Sequence, residues 1–387
     1  MLAILFLLFP FFTMLFYSFS VYKTGLSKKH LWNIAILLSV YLGLLNSTKE
    51  LAGDFLGYFE IFQTVPKYNN PISYVMSFGK EPLYYAYTWL SYHLFMGNWK
   101  MFVISITTIN YLLISYSLIR ISDYLKVSSK NVIVALFFMA FFFQEMAVVG
   151  NLVRQSLSEA MILVFLTRLY LYKKRSWWIA ICAFCVHTSC LPLLGIGIIP
   201  SIADKFTITS LLRLLVPLSF LVVGFYVLGD YMANIPILGY VFSRANNSEQ
   251  LLGADYWQED VGLSAMSYIL LFLNLGMIAF LYSDKKRLRS KELGLINFSF
   301  ILVILMFLCN AIGAYYLLMR YFFYVYVFQI PIFLLFMHYN RTLNSDVVRV
   351  PLMLTLVVYF FHEYTHNVFS YSSILEAMCW PAPVYLF

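Results

Sequence analysis

The sequence predicts an all-α, polytopic transmembrane protein of about 10–12 apolar helices, some of them re-entrant or interfacial. Composition and spacing together predict it. Hydrophobic residues make up 62% of the 387 residues and charged residues only 11%, too few charges to cover a water-facing globule. The apolar residues come in blocks near the length that crosses a bilayer core. Aromatic residues reach 19%, with 31 Tyr and 37 Phe. Tyr is at home at the membrane–water boundary and Phe in the hydrocarbon. The chain reads as one integral membrane domain over residues 1–387.

In chain order the apolar segments are Leu2–Tyr22, Leu31–Asn46, Leu83–Met96, Met101–Ile119, Val132–Val149 and Leu152–Tyr172. Trp177–Ile199, Ile208–Leu228, Ala265–Tyr282, Leu293–Ile312, Tyr315–Met337 and Val350–Val368 follow. The first lacks a basic leader and a small-residue cleavage site, so it is expected to be a retained span. Most of the 26 Lys and Arg residues fall in five connections, around Lys28, Lys126, Lys174, Lys286 and Arg341, which marks these as cytoplasmic. The net charge of +8 thus serves orientation and implies no nucleic acid. The connections at about 47–80 and 230–264 are acidic or mixed and are placed outside. Three apolar segments separate Lys29 from Arg120, and three separate Arg175 from Lys285. Loops on the same side need an even number of crossings, so one segment of each trio is expected not to cross. Leu83–Met96 is short; Trp177–Ile199 is interrupted by His187, Thr188, Ser189 and Pro192. Irregular backbone at membrane depth survives only where protein or a water-filled cavity shelters it.

Polar residues inside such segments are the candidates for function. Glu81-Pro82 opens one segment: Pro82 suits a first helical turn, and Glu81 lies beside the positive end of the helix dipole. The plain alternative is a charge-capped helix start. Asn151, Arg154 and Gln155 have i, i+3, i+4 spacing, which predicts one shared helical face. Such a face suits a phosphate or sugar, because a guanidinium grips two oxygens at once. His187 sits at the inferred break, beside Cys182 and Cys185. This C-x-x-C has no second pair and predicts no metal. Arg320 lies at the start of a tyrosine-rich span and is a partner for Arg154 around one anionic group, or else an interfacial anchor. His362-Glu363-Tyr-Thr-His366 spells the two-histidine zinc signature. A catalytic zinc also requires a third ligand, and the only acid beyond it is Glu376, so an intramembrane protease is disfavoured.

The order Gly53-Asp54-Phe-Leu-Gly-Tyr58, Glu81-Pro82-Leu83, Asn151-Leu-Val-Arg154-Gln155, Phe184-Cys-Val-His187-Thr-Ser189 and Arg320-Tyr321 resembles the EpsG-type polymerases of bacterial surface polysaccharides, a branch of the Wzy-like oligosaccharide repeat-unit polymerases. Lys49 and Glu50 stand where that family usually carries an arginine. The resemblance implies a multi-pass protein of the bacterial cytoplasmic membrane. It implies an activity that joins undecaprenyl-diphosphate-linked oligosaccharides at the outer face, yielding an O-antigen, capsule or exopolysaccharide, without cofactor or metal. A flippase and a chain-length regulator are the partners it implies. On this reading Arg154 and Arg320 hold the diphosphate. Asn151, Gln155 and Tyr58 bind substrate, and Glu81, Asp54 or His187 accepts the proton of the attacking hydroxyl. A lipid-linked-sugar flippase is the main alternative; the sequence shows no repeated halves, which such transporters often carry.

Overall fold

The computed structural model describes residues 1–25, 27–199, 265–283, 288, 290–311, 315–340, 342–366 and 370–386. The Ile208–Leu228 segment and the loop at 230–264 lie outside these. The protein is an all-α polytopic membrane protein, and no strand occurs among the described residues. In order the helices are α1 (Leu2–Leu8), α2 (Pro10–Thr24), α3 (Lys28–Asn46), α4 (Gly53–Gln63), α5 (Pro71–Phe78), α6 (Pro82–Leu94), α7 (Trp99–Leu125), α8 (Ser129–Phe141), α9 (Phe143–Asn151), α10 (Val153–Tyr172), α11 (Trp177–Val186) and α12 (Leu191–Gly197). After the undescribed stretch come α13 (Ala265–Ser283), α14 (Ser290–Ala311), α15 (Tyr315–Tyr339), α16 (Asp346–His366) and α17 (Ile374–Cys379).

The helix starts follow local chemistry. Pro10, Pro71 and Pro82 each occupy a first helical position, where the missing N–H costs nothing. The side chains of Asn70, Asn98 and Ser128 accept from Ser73 N, Met101 N and Asn131 N at 2.8, 3.1 and 3.3 Å, satisfying first-turn donors.

Among the described residues five helices, α7 and α13–α16, are long and apolar enough to cross a membrane, and α8 with α9 makes a sixth if that bent pair is one span. This is fewer than the number of apolar blocks: several blocks are broken, Ile208–Leu228 lies outside the described residues, and the unbroken α3 and α10, of 19 and 20 residues, are not among the five. Leu2–Tyr22 divides at Phe9, just before Pro10. Val132–Val149 divides at Phe142, where α8 and α9 meet at 51°; Phe142 is 3% exposed, so protein shelters the irregular backbone. Trp177–Ile199 divides at His187, as its polar cluster predicts, with a 3₁₀ turn at Thr188–Cys190 between α11 and α12. The 13 residues of α6 reach about 20 Å, short of a hydrocarbon core of roughly 30 Å. The stretch 47–80 is not a plain loop, since it contains α4 and α5.

Two apolar clusters result. The larger runs through α2, α3, α7–α10 and α14–α16. Within it α3 lies so close to α7 that a Cβ on Gly43 would meet Ile104 O at 2.8 Å. The smaller is aromatic: Phe55, Tyr58 and Phe62 from α4, Tyr74 from α5, Tyr84 and Tyr85 from α6, and Phe102 from α7. Val153 and Leu157 of α10 and Val186 of α11 close it. Arg154 therefore leaves α10 at the edge of this aromatic cluster. The polar groups near α8 and α16 form a separate clasp: buried Arg349 donates to Asn131 Oδ1 at 2.8 Å and to Asn344 Oδ1 at 2.7 Å.

Candidate active site around Glu81

Gly79 closes α5 in the left-handed conformation, and Glu81, only two residues on, is left-handed as well, with φ +51° and ψ +51°. A non-glycine residue there costs about 1–2 kcal/mol, a strain that persists only where surrounding contacts over-determine it. The Glu81 side chain makes no cap for α6. It is buried, 5% exposed, and turns instead to two partners. Oε2 accepts from Nη1 of Arg154, and Oε1 lies 3.6 Å from Nε2 of His187. The charge-capped helix start is thereby set aside: the acid is withdrawn from the helix end and held by side chains from α10 and from the break after α11.

Arg154 is positioned by the aromatic cluster. Its Nη1 also donates to Tyr85 Oη at 3.2 Å, and its guanidinium carbon lies 5.2 Å from the ring centre of Tyr58 and 5.6 Å from that of Tyr84. Tyr85 is itself stacked on Phe78, centroids 3.9 Å apart and planes 2° from parallel. Ring faces attract a desolvated cation, so these contacts hold the guanidinium against Glu81. Tyr58 is buried beneath Arg154, where it supports the arginine. The pair is largely shielded, with side chains 18% and 5% exposed. Arg154 Nε is buried and has no hydrogen-bond partner among the described residues.

His187 has extended backbone, φ −156° and ψ 127°, at the junction between α11 and the 3₁₀ turn. Its Nδ1 accepts from Ser189 N at 3.2 Å and lies 2.7 Å from Ser189 Oγ. Ser189 Oγ is 3.3 Å from the hydroxyl of fully buried Tyr324 on α15.

The shared face expected of Asn151, Arg154 and Gln155 does not form. The helix breaks at Leu152, with φ −116° and ψ 51°, so Asn151 ends α9 while the other two begin α10. The three side chains fan out to three sets of partners. Asn151 Oδ1 accepts from Lys49 Nζ, and its Nδ2 donates to Ala147 O at 2.9 Å. Arg154 takes Glu81. Gln155 Nε2 donates to Arg320 O at 2.6 Å and to Glu159 Oε1 at 2.9 Å, and its Oε1 accepts from Arg320 Nη1 at 3.3 Å. Arg154 and Arg320 are thus linked through consecutive residues of α10, each guanidinium engaged by its own partner. Asp54 is exposed in the first turn of α4, one turn before Tyr58.

Lys49, which stands near the missing family arginine, is 5% exposed, with Nζ 4.9 Å from the ring centre of Phe55. Burial pushes its ammonium down to about 7 from 10.5, against the opposing pull of Asp54. Below about pH 7 folded and unfolded chains both carry this charge, so the folded protein bears its full desolvation cost. Between about 7 and 10.5 only the unfolded chain keeps the proton, so stability rises with pH. Lys49→Met is therefore expected to raise the melting temperature of the detergent-purified protein below pH 7. The gain should shrink across that window and vanish above it. A gain independent of pH would show that the charge is not the cause.

Among the described residues three buried acids lie outside these motifs, one of them Glu292 on α14, which accepts from Tyr339 Oη. Glu145 on α9 and Glu159 on α10 are both 0% exposed, and neither oxygen of Glu145 has a hydrogen-bond partner among the described residues. Their signal was in the sequence: acids inside apolar segments, with Glu159 four residues after Gln155. His362 and His366 do share a helical face, rings stacked at 4.5 Å. His362 Nδ1 is 3.3 Å from its neighbour Glu363, and His366 Nδ1 lies 2.8 Å from His362 O. Among the described residues no three His, Cys, Asp or Glu side chains are grouped to hold a metal.

No curated protein and no solved structure matches the chain. A family model does match, over residues 29–373, which takes in every element that contributes to this site. The chain belongs to the EpsG family, and so to the proteins of polysaccharide polymerisation.

Proposed function

We propose that the chain joins oligosaccharide repeat units carried on undecaprenyl diphosphate into a surface polysaccharide, at the outer face of the bacterial cytoplasmic membrane. The observation that carries this reading is the meeting of Glu81, Arg154 and His187, side chains from three distant motifs, around one buried carboxylate. The two neighbours fix this carboxylate in direction, so that it is positioned to receive the proton of a sugar hydroxyl.

The step balances as follows. The acceptor hydroxyl gives its proton to Glu81 while its oxygen bonds to the anomeric carbon of the donor. The bond from that carbon to the diphosphate oxygen breaks, and the electron pair leaves with the undecaprenyl diphosphate. Arg320 receives this anion, with Arg154 sharing its charge between the anion and Glu81; charge-assisted hydrogen bonds of this kind stabilise a leaving group. The proton then passes from Glu81 to water. The exposed Asp54 and the half-buried Asn151 stand beside the core of the site, suited to sugar hydroxyls. A flippase supplies the donor, and a chain-length regulator acts on the product.

Purified protein given a lipid-linked repeat unit is expected to release undecaprenyl diphosphate and form a ladder of longer lipid-linked chains. In cells, deletion is expected to leave surface oligosaccharide one unit long. Loss of all surface oligosaccharide, with no ladder in the purified reaction, is the result a flippase gives and would overturn the proposal.

A further inference from the structure

The hydrogen-bond directions around His187 divide the work between histidine and glutamate. A backbone N–H only donates, so Ser189 N, 3.2 Å from Nδ1, requires a lone pair on that nitrogen. The ring proton of neutral His187 then sits on Nε2, the nitrogen that faces Glu81 Oε1 at 3.6 Å. A proton on Nδ1 would be directed at the Ser189 N–H. The Ser189 hydroxyl, 2.7 Å from Nδ1, completes the arrangement by donating to the same lone pair. Its own oxygen is then left to accept from Tyr324 at 3.3 Å. The donors of this chain therefore run one way, from Tyr324 through Ser189 to His187, whose Nε2–H is left facing Glu81 Oε1 at 3.6 Å.

The geometry points to Ser189 as the residue that fixes His187 in its Nε2–H form, making His187 a positioning residue that turns this N–H toward Glu81 and leaving Glu81 alone to take the substrate's proton. The assignment rests on the reading of Glu81 as the base. Arg154 holds one carboxylate oxygen and His187 steers the other, so the remaining lone pairs of the carboxylate are turned toward the incoming hydroxyl. The C-terminal side of the α11 break thereby has a task in the chemistry: the extended backbone at His187 is what brings Ser189 N back onto the imidazole.

The test has two arms. Protein labelled with ¹⁵N-histidine, in lipid nanodiscs, is examined by NMR, with the His187 resonances assigned by their loss in His187→Gln and their displacement in Ser189→Ala. In the neutral ring Nε2 is expected to be protonated and Nδ1 unprotonated. A neutral Nδ1–H ring overturns the assignment. This arm needs no substrate, so it stands even if the polymerase reading fails, in which case wild-type protein forms no ladder either. In the activity arm, His187→Gln keeps an N–H donor near the Nε2 position. It is expected to retain elongation within about tenfold of wild type, the scale of one neutral hydrogen bond, while His187→Ala falls well below it. Loss in His187→Gln as deep as in Glu81→Gln would make the imidazole the proton acceptor and overturn the proposal.

Discussion

Arg154→Ala and Glu81→Gln are each expected to lower chain elongation by about a hundredfold or more, the usual worth of a positioned acid–base group. Loss of activity alone would not separate chemistry from folding. The two side chains are 18% and 5% exposed, and removing one partner of such a shielded pair strands the other charge, at about 3–5 kcal/mol. Replacing both by apolar residues of similar volume is often neutral or stabilising. The double variant Glu81→Leu/Arg154→Met is therefore expected to melt close to wild type while making no ladder. Arg154→Lys is expected to stay impaired, because an ammonium lacks the planar guanidinium that rests on the rings of Tyr58 and Tyr84. Melting curves and glycan ladders on the same preparations decide the matter. A double variant that recovers both stability and elongation would reduce the pair to a structural clasp.

How far the site was legible in the sequence depends on what breaks a helix. The interruption at His187 could be read, since Thr188, Ser189 and Pro192 are residues that favour turns and caps over helix interiors. The start of α6 could be read from Pro82. The withdrawal of Glu81 from its helix end could not, because it depends on a left-handed backbone and on two partners distant in the chain. The break at Phe142 left no local mark, since it lies among apolar residues that are ordinary in a helix; the one at Leu152 was legible as the boundary between Val132–Val149 and Leu152–Tyr172, where Gly150 and Asn151 interrupt the apolar run. A Cβ on Gly150 would come within 2.5 Å of Asn46 Oδ1, so the glycine before the second break marks a close approach that only the folded chain reveals. An uninterrupted helix would have placed Asn151 beside Arg154 and Gln155; the break at Leu152 sends it to Lys49 instead.

Glu145 and Glu159 show the opposite case, a signal present but passed over. Acids inside apolar segments are expensive and mark function or pairing, and the spacing of Gln155 and Glu159 predicts the contact the structure contains. Glu159 belongs to no motif, yet Gln155, which does, holds it. That acid matters because it sits behind the second arginine.

Gln155→Leu is expected to weaken substrate capture more than turnover. The amide of Gln155 is 1% exposed and joins α10 to α15 through both its ends: Nε2 donates to Arg320 O, and Oε1 accepts from Arg320 Nη1. Nε2 is also the donor that meets buried Glu159. Leucine fills the volume but removes all three bonds, leaving a carbonyl and a carboxyl oxygen short of a donor at about 1–3 kcal/mol apiece. Arg320 then loses its orienting contact on α10, so the concentration of lipid-linked donor needed for half-maximal rate should rise about tenfold or more, as loss of one well-placed charged hydrogen bond implies. Gln155→Glu tests the same idea at nearly constant shape. A carboxylate there accepts from Arg320 Nη1 but donates to nothing, and a protonated carboxyl donates only once, so at most one of the two Nε2 bonds survives. It should also set a second acid against Glu159. Arg320→Ala, which removes the anion-binding group itself, is expected to abolish the ladder at every donor concentration. Should Gln155→Leu instead lower kcat with the half-saturating concentration unchanged, the link would act on the chemical step around Glu81, and Arg320 would lose its assignment as the residue that receives the diphosphate.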